Sequence, residues 1–349
     1  MREKKLLTTY LLLALLGIAG AVLLLVQGAL PWPQVWQGAL DRFFGAGYRW
    51  NALLDERLPR LLVLLATGAS LVVAGGVMQS LLQNPLAAPS VLGLHTGSDL
   101  MAIILLVGGW HQLHPWMMPL ATFLGAWLVL LAVVTLWHRL PQRQFGQLIL
   151  MGIAITTLLM AIQNGLLYAW RDDWPLSYAI AEWTAGSTLD RSWIHVHMQM
   201  PLTVVGLFVC WHYRNELNIL TLGDEEAMNL GVDVEKVRWQ LILAIGALTG
   251  GSLAAVGNIP FFGLIVPHLL RRAFGPNQRR LLPLEIATGS ISLMLFDTLL
   301  RYSCLHWLTI GNLSALVGAL FFLFLLHHPM GDAIGSLRQP RRWAAASWR

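Results

Sequence analysis

Residues 221–238 read TLGDEEAMNLGVDVEKVR, and residues 239–270 continue WQLILAIGALTGGSLAAVGNIPFFGLIVPHLL. The first stretch sets Asp224, Glu225, Glu226, Asp233 and Glu235 against only Lys236 and Arg238, whereas the second carries no charge at all. A hydrocarbon core of about 30 Å takes about 20 helical residues, and helices satisfy their own backbone groups there. The second stretch therefore reads as membrane-embedded and the first as a loop in water. Its acidity does not suit a lipid surface, because anionic cytoplasmic leaflets attract bases. A protein partner is expected on it.

The pattern extends outward in both directions. Fifty-six per cent of the 349 residues are apolar and 12% are charged, against about a quarter charged in a soluble domain. The fold class is all-α, a polytopic membrane protein. Cutting the uncharged runs at Gly, Pro and polar clusters predicts about ten helices, near 6–28, 59–82, 91–108, 116–138, 145–169, 192–212, 238–256, 260–271, 282–303 and 309–328. The eighth is too short to span untilted and reads as a half-helix entered through Gly257-Asn258-Ile259-Pro260. With the amino terminus inside, 16 of the 23 Lys and Arg residues fall on the cytoplasmic side, so both termini and the acidic island are expected there. MREKK and its apolar run could pass for a signal peptide, but the run exceeds 20 residues and reads as an uncleaved first span. Residues 1–328 read as one transmembrane domain, and 329–349 as a basic cytoplasmic tail.

Several chemistries are excluded. Cys210 and Cys304 give no disulfide framework and no metal spacing. His195 and His197, and His111 and His114, lack Cys or carboxylate partners at ligand spacing, so no metal and no cofactor are expected. The only lysines are Lys4, Lys5 and Lys236, and none follows a glycine, so a phosphate-binding loop is absent. No nucleophile elbow or paired-carboxylate motif appears. The chain is not expected to be an enzyme, and no nucleic-acid partner is expected.

Chemistry instead gathers at the membrane boundaries. Arg57-Leu58-Pro59-Arg60 opens the second span with Pro59 in a first helical turn. Asp297 and Arg301 share a helix face and can neutralise each other; they are either a structural pair or a contact to a partner or pathway. Of the ionisable residues in spans, only Asp297 is expected to come near the midplane, where charge is costly. Gln83 to Gly93 holds Pro85, Pro89 and Gly93 and is either a plain turn or irregular backbone lining a cavity. In Phe261 to Arg272, Pro267 interrupts a short apolar helix that Arg271 and Arg272 stop.

Five stretches, RLPR (57–60), NPLAAPSVLG (84–93), LGDEEAMNLGV (222–232), GLIVPHLLRR (263–272) and RRLLP (279–283), resemble the FecCD/BtuC-type permeases of type II ATP-binding-cassette importers for ferric siderophores, haem and cobalamin. Trp183 to Ser187 adds weaker agreement. The resemblance implies a dimer with an identical or sister permease, two cytoplasmic ATPase subunits that bind the ATP, and a periplasmic binding protein, all at a bacterial inner membrane. It implies ATPase coupling through Leu222, Gly223, Asp224, Glu225, Glu226, Ala227, Leu230, Gly231 and Val232, folded as two short helices. Local chemistry agrees: Thr221 can cap a helix begun near Leu222, Gly231 can end it, and a second begins near Asp233. The resemblance further implies binding-protein docking by Arg57, Arg60 and Arg301, and a cytoplasmic gate at Asn84, Leu86, Phe145 and Gly146. Pro59, Pro85, Gly93, Gly263, Pro267, His268 and Asp297 would be structural motif positions, and spans five and ten would line the path.

Two segments depart from the family pattern: Gly257-Asn258-Ile259-Pro260-Phe261, where one proline has moved, and Leu308-Thr309-Ile310-Gly311, which lacks its proline. Both bear on entrance shape and cargo identity. A secondary transporter or channel, or a receptor without transport, are the competing classes. Neither gives the acidic island a task.

Overall fold

The computed structural model describes residues 2–26, 31–44, 50–140, 145–303 and 308–327. Every regular element among them is helical: α1 Arg2–Val26, α2 Trp32–Phe43, α3 Leu58–Leu81, α4 Leu94–Val107, α5 Met117–His138, α6 Phe145–Ala169, α7 Trp174–Thr184, α8 Trp193–His212, α9 Arg214–Leu220, α10 Asp224–Asn229, α11 Val234–Val256, α12 Phe262–Phe274, α13 Gln278–Tyr302 and α14 Ile310–His327. Each expected span is present as a helix. Seven are long and apolar enough to cross a membrane, and α4 and the apolar part of α14 are shorter. At 13 residues, α12 is the expected half-helix. The basic tail and Cys304 lie outside the described residues.

Three helices were not expected from the sequence. Prolines at 31, 33 and 175 read as breakers, yet Pro33 and Pro175 sit in the first turns of α2 and α7, where a missing N–H costs nothing. The third is α9. A wide-turn segment, Ala52–Arg57, also runs into α3 and starts that span earlier than expected; Asn51 accepts from the N–H groups of Leu53 and Leu54.

A helix that is apolar all round belongs at a centre, and α3 and α11 are the most buried. With lipid as apolar as leucine, close packing replaces the hydrophobic effect between helices. Gly68 and Gly289 let α3 and α13 touch backbone to backbone: a Cβ built on Gly68 would lie 2.6 Å from the Gly289 carbonyl carbon, and the reverse distance is 2.9 Å. Gly75 meets Gly263 of α12 in the same way, with 3.1 Å from a built Cβ to the Gly263 Cα. Because Leu71, whose carbonyl lies against Gly263, is near the middle of α3, α12 begins near mid-depth. Helix propensity alone favours Ala over Gly by ~0.8–1 kcal/mol. Gly289→Ala is nonetheless expected to lower the thermal midpoint of the purified chain, overpacking costing about 1–3 kcal/mol. Gly165→Ala, whose Cβ meets nothing, should leave it level or raise it.

The outward faces of α1, α6 and α14 stay apolar and open, including Leu15, Ile18, Leu150, Leu158, Leu320 and Leu323. Lipid or another membrane chain suits such faces.

Candidate functional site

The acidic island forms a knob at one end of the bundle. Leu217, Leu220 and Ala227 bury one face of α9 and α10, while Leu222, Met228 and Leu230 stand exposed beside the exposed Glu225 and Glu226. Three carboxylates in the first turn of α10 suit its positive end. The expected helix boundaries are corrected here. Thr221 ends α9, its hydroxyl donating to the Asn218 carbonyl at 2.6 Å, and Gly223, at φ 124°, begins α10. Only glycine enters that conformation readily, which decides against a start at Leu222. Asp233 does not open a separate short helix; it accepts from Lys236 N at 3.1 Å and caps the long α11. The two short helices are therefore α9 and α10. Gly231 turns the chain at φ 83° as expected, and Val232 is half-buried.

The knob is bolted to the bundle. Gln83 Nε2 donates to the Leu220 carbonyl at 2.9 Å, tying α9 to the end of α3. The backbone N–H of Gln278 donates to Asn218 Oδ1 at 2.7 Å, and Arg279 Nε donates to Asn215 Oδ1 at 2.6 Å, tying α9 to the start of α13. Arg238 of α11 pairs with Asp224. Asn215, Asn218 and Gln278 drew no attention in the sequence, because such anchors have no fixed spacing, and Arg279 stood out only as part of RRLLP.

Next to Gln83, Asn84 is exposed and its Oδ1 accepts from Leu86 N at 2.9 Å. Leu86 and Gly146 are exposed as well; Phe145 opens α6, with its side chain outside the described residues. The stretch after Pro85 is more than a plain turn. Ala88, Pro89 and Ser90 line a cavity with residues of α4, α6 and α11, and Gly93, at φ 77°, starts α4. Beside it, Arg271 Nη2 donates to the Gly76 carbonyl at 2.9 Å and to Ser80 Oγ at 2.8 Å. His268, one residue after Pro267, is buried against the Phe321 ring with 6.0 Å between centroids.

At the opposite end, an exposed arginine rim is not what forms. Arg60 is buried and pairs with Asp297, which also accepts from the Thr188 hydroxyl. Arg57, two residues before Pro59, is buried too, Nη1 donating to the Leu25 carbonyl at 2.8 Å. Arg301 lies 3.9 Å from Asp297 and is the most exposed of the three. The sequence paired Asp297 with Arg301; the closer partner is Arg60, 237 residues away, which no helical spacing reveals. Trp183 to Ser187 supplies the joint between helices: Ser187 N donates to the Val256 carbonyl at 2.9 Å, and Gly311 N to the Gly186 carbonyl at 3.3 Å. Nearby, burial pushes the Arg191 guanidinium down to about 10 against the opposing pull of Asp190 and Glu182, so it stays charged at neutral pH.

Asp297 is not alone inside the helices. Glu285 in α13 is buried as well, and Asp99 in α4 is half-buried. The sequence showed Asp99 as a lone charge between the uncharged runs 61–98 and 100–138. Among the described residues, no three His, Cys, Asp or Glu side chains gather as a metal centre would require.

A sequence model of the FecCD transport family matches residues 11–328. The chain belongs to this family. The Fe(3+) dicitrate transport system permease protein FecD of Escherichia coli is 35% identical over 320 residues, covering 89% of this chain and 96% of that one. The cobalamin import system permease protein BtuC of Halobacterium salinarum is 33% identical over 311 residues, covering 86% and 80%. Among solved structures, one described as a metal-chelate type ABC transporter in an inward-facing conformation superposes with a TM-score of 0.79 at 28% identity, over 93% of this chain and 99% of that one. This FecCD-family chain is a multi-pass membrane protein with the all-helical permease fold.

Proposed function

We propose that this chain is the membrane-spanning subunit of an ATP-driven importer that carries a ferric siderophore across the bacterial inner membrane, with haem or cobalamin the nearest alternative cargo. The observation that carries the reading is the knob of α9 and α10. It offers exposed carboxylates and leucines to a partner while its buried face is fixed to α3, α11 and α13. A receptor or a channel has no use for such a rigid mount. ATPase subunits sit against this end, and the distribution of Lys and Arg supports reading it as cytoplasmic together with both termini. A second permease, identical or sister, covers the open faces of α6 and α14, between which the cargo path runs. The binding protein docks at the opposite end, where Arg301 is the most accessible of Arg57, Arg60 and Arg301 and would act mainly on docking rate and register.

In this reading ATP-driven closure of the ATPase pair displaces α9 and α10, and the anchors carry that displacement into α3 and α13. The Asn84–Leu86 loop follows directly on Gln83, so the same displacement reaches the inner gate. Access alternates between the two sides of the membrane. The test is uptake into proteoliposomes holding the chain with its co-purifying subunits, given ferric siderophores, haemin and cobalamin in parallel. Ferric chelate accumulation that requires ATP and the binding protein is the expected result. Uptake by the purified chain without ATP would sink the importer reading, and ATP-dependent uptake of haemin or cobalamin alone would move the cargo assignment.

A further inference from the structure

A cavity of about 330 Å³ lies where the two interrupted helices α4 and α12 begin, walled by α3, α6 and the end of α11. Among the described residues, four side-chain atoms on it have no hydrogen-bond partner: Asp99 Oδ1, His95 Nδ1, Thr249 Oγ1 and Asn258 Oδ1. Thr249 is wholly buried. His95 and Asp99 stand four residues apart on α4 and so share a face. An ionisable group inside a membrane helix costs about 2.5–3.5 kcal/mol and usually marks a pathway, and here each group has an unpaired buried atom among the described residues. Among the described residues, Asp99 is the only Asp, Glu, Lys or Arg lining the cavity, and the sequences of α5, α6 and residues 239–264 bring no other. The unmet atoms are a carboxylate oxygen and an amide oxygen, which accept, and a hydroxyl and an imidazole nitrogen, which can accept as well.

We propose that this cavity is a station for a positively charged or N–H- and O–H-rich group, with Asp99 as its charge and His95, Thr249 and Asn258 as polar contacts. The start of α12 also points at the region and favours anions, but a helix end amounts to about half a unit charge, less than one carboxylate. That the occupant is cargo in transit rests on the permease reading; the preference for positive charge does not.

The test reads charge preference directly, without knowledge of the cargo. In the full-length chain held in nanodiscs, with Cys210→Ala and Cys304→Ala, a thiol is placed on the cavity wall by Thr156→Cys. Its rates of modification by cationic and by anionic methanethiosulfonates are then compared, each normalised to a free thiol. The cationic reagent should react about tenfold faster, as a nearby carboxylate in a partly screened setting predicts, and adding Asp99→Asn should bring the ratio near one. Met160→Cys, at a more exposed lining position, serves if Thr156→Cys does not fold. A ratio near one with Asp99 present, a faster anionic reagent, or no modification by either overturns the proposal. A loss of ATP-dependent uptake in the unmodified transporter would overturn the importer reading and leave this one standing.

Discussion

In proteoliposomes of the assembled transporter, Glu225→Lys with Glu226→Lys is expected to abolish the stimulation of ATP hydrolysis by loaded binding protein, while the chain still folds and inserts. Both residues are exposed on α10, so the reversal leaves the bundle's own packing intact. A close interfacial charge pair that is truncated typically costs 2–5 kcal/mol, and reversal adds repulsion, so association with the ATPase should weaken by roughly 30-fold or more. Asp224 belongs in a separate variant because it pairs with Arg238. Asp224→Asn should disturb how the knob sits on α11 and lower coupling only partly. Co-purification of the ATPase and its hydrolysis rate are the two readouts; unchanged stimulation in the double reversal would remove the knob from the coupling route.

The second large effect is expected at Asp297→Ala. That change strands Arg60 in a buried site, with Thr188 losing its acceptor as well. Removing one member of a buried pair costs about 3–5 kcal/mol because the remaining charge is uncompensated. The purified variant should therefore show a much lower thermal midpoint and a poor yield. Adding Arg60→Met should recover much of the loss, since an apolar replacement of both partners can be close to neutral. Arg301→Ala, by contrast, should leave the midpoint nearly unchanged and slow only binding-protein association. A midpoint for Asp297→Ala equal to that of the parent chain would mean that the pair does not hold α3 to α13.

What could be read from residues alone follows physical range. Span positions are set by hydrocarbon thickness, a purely local demand, and each expected span has a helix at its place. The island was legible because five acids within 18 residues cannot be confused with a span. Short helices with proline in their first turn were missed, since proline reads as a stop unless the turn it occupies is known. The fates of Arg57 and Arg60 were not legible, because burial beside Leu25 and Asp297 is a property of tertiary neighbours. Likewise Asp99 was one lone charge inside the span predicted at 91–108 until the wall opposite it was in view.

The crossing of α3 over α13 has one more implication. Gly68 lies near the middle of α3, so the Gly68–Gly289 contact acts as a fulcrum for a stiff rod of 24 residues. Its arms are about 15 and 20 Å long at 1.5 Å per residue. A tilt of about 10° would swing Gln83 by about 4 Å one way and Arg60 by about 2 Å the other. A push delivered at the knob would thus arrive on the far side of the membrane as a see-saw stroke of opposite sign, without any helix having to bend or unwind.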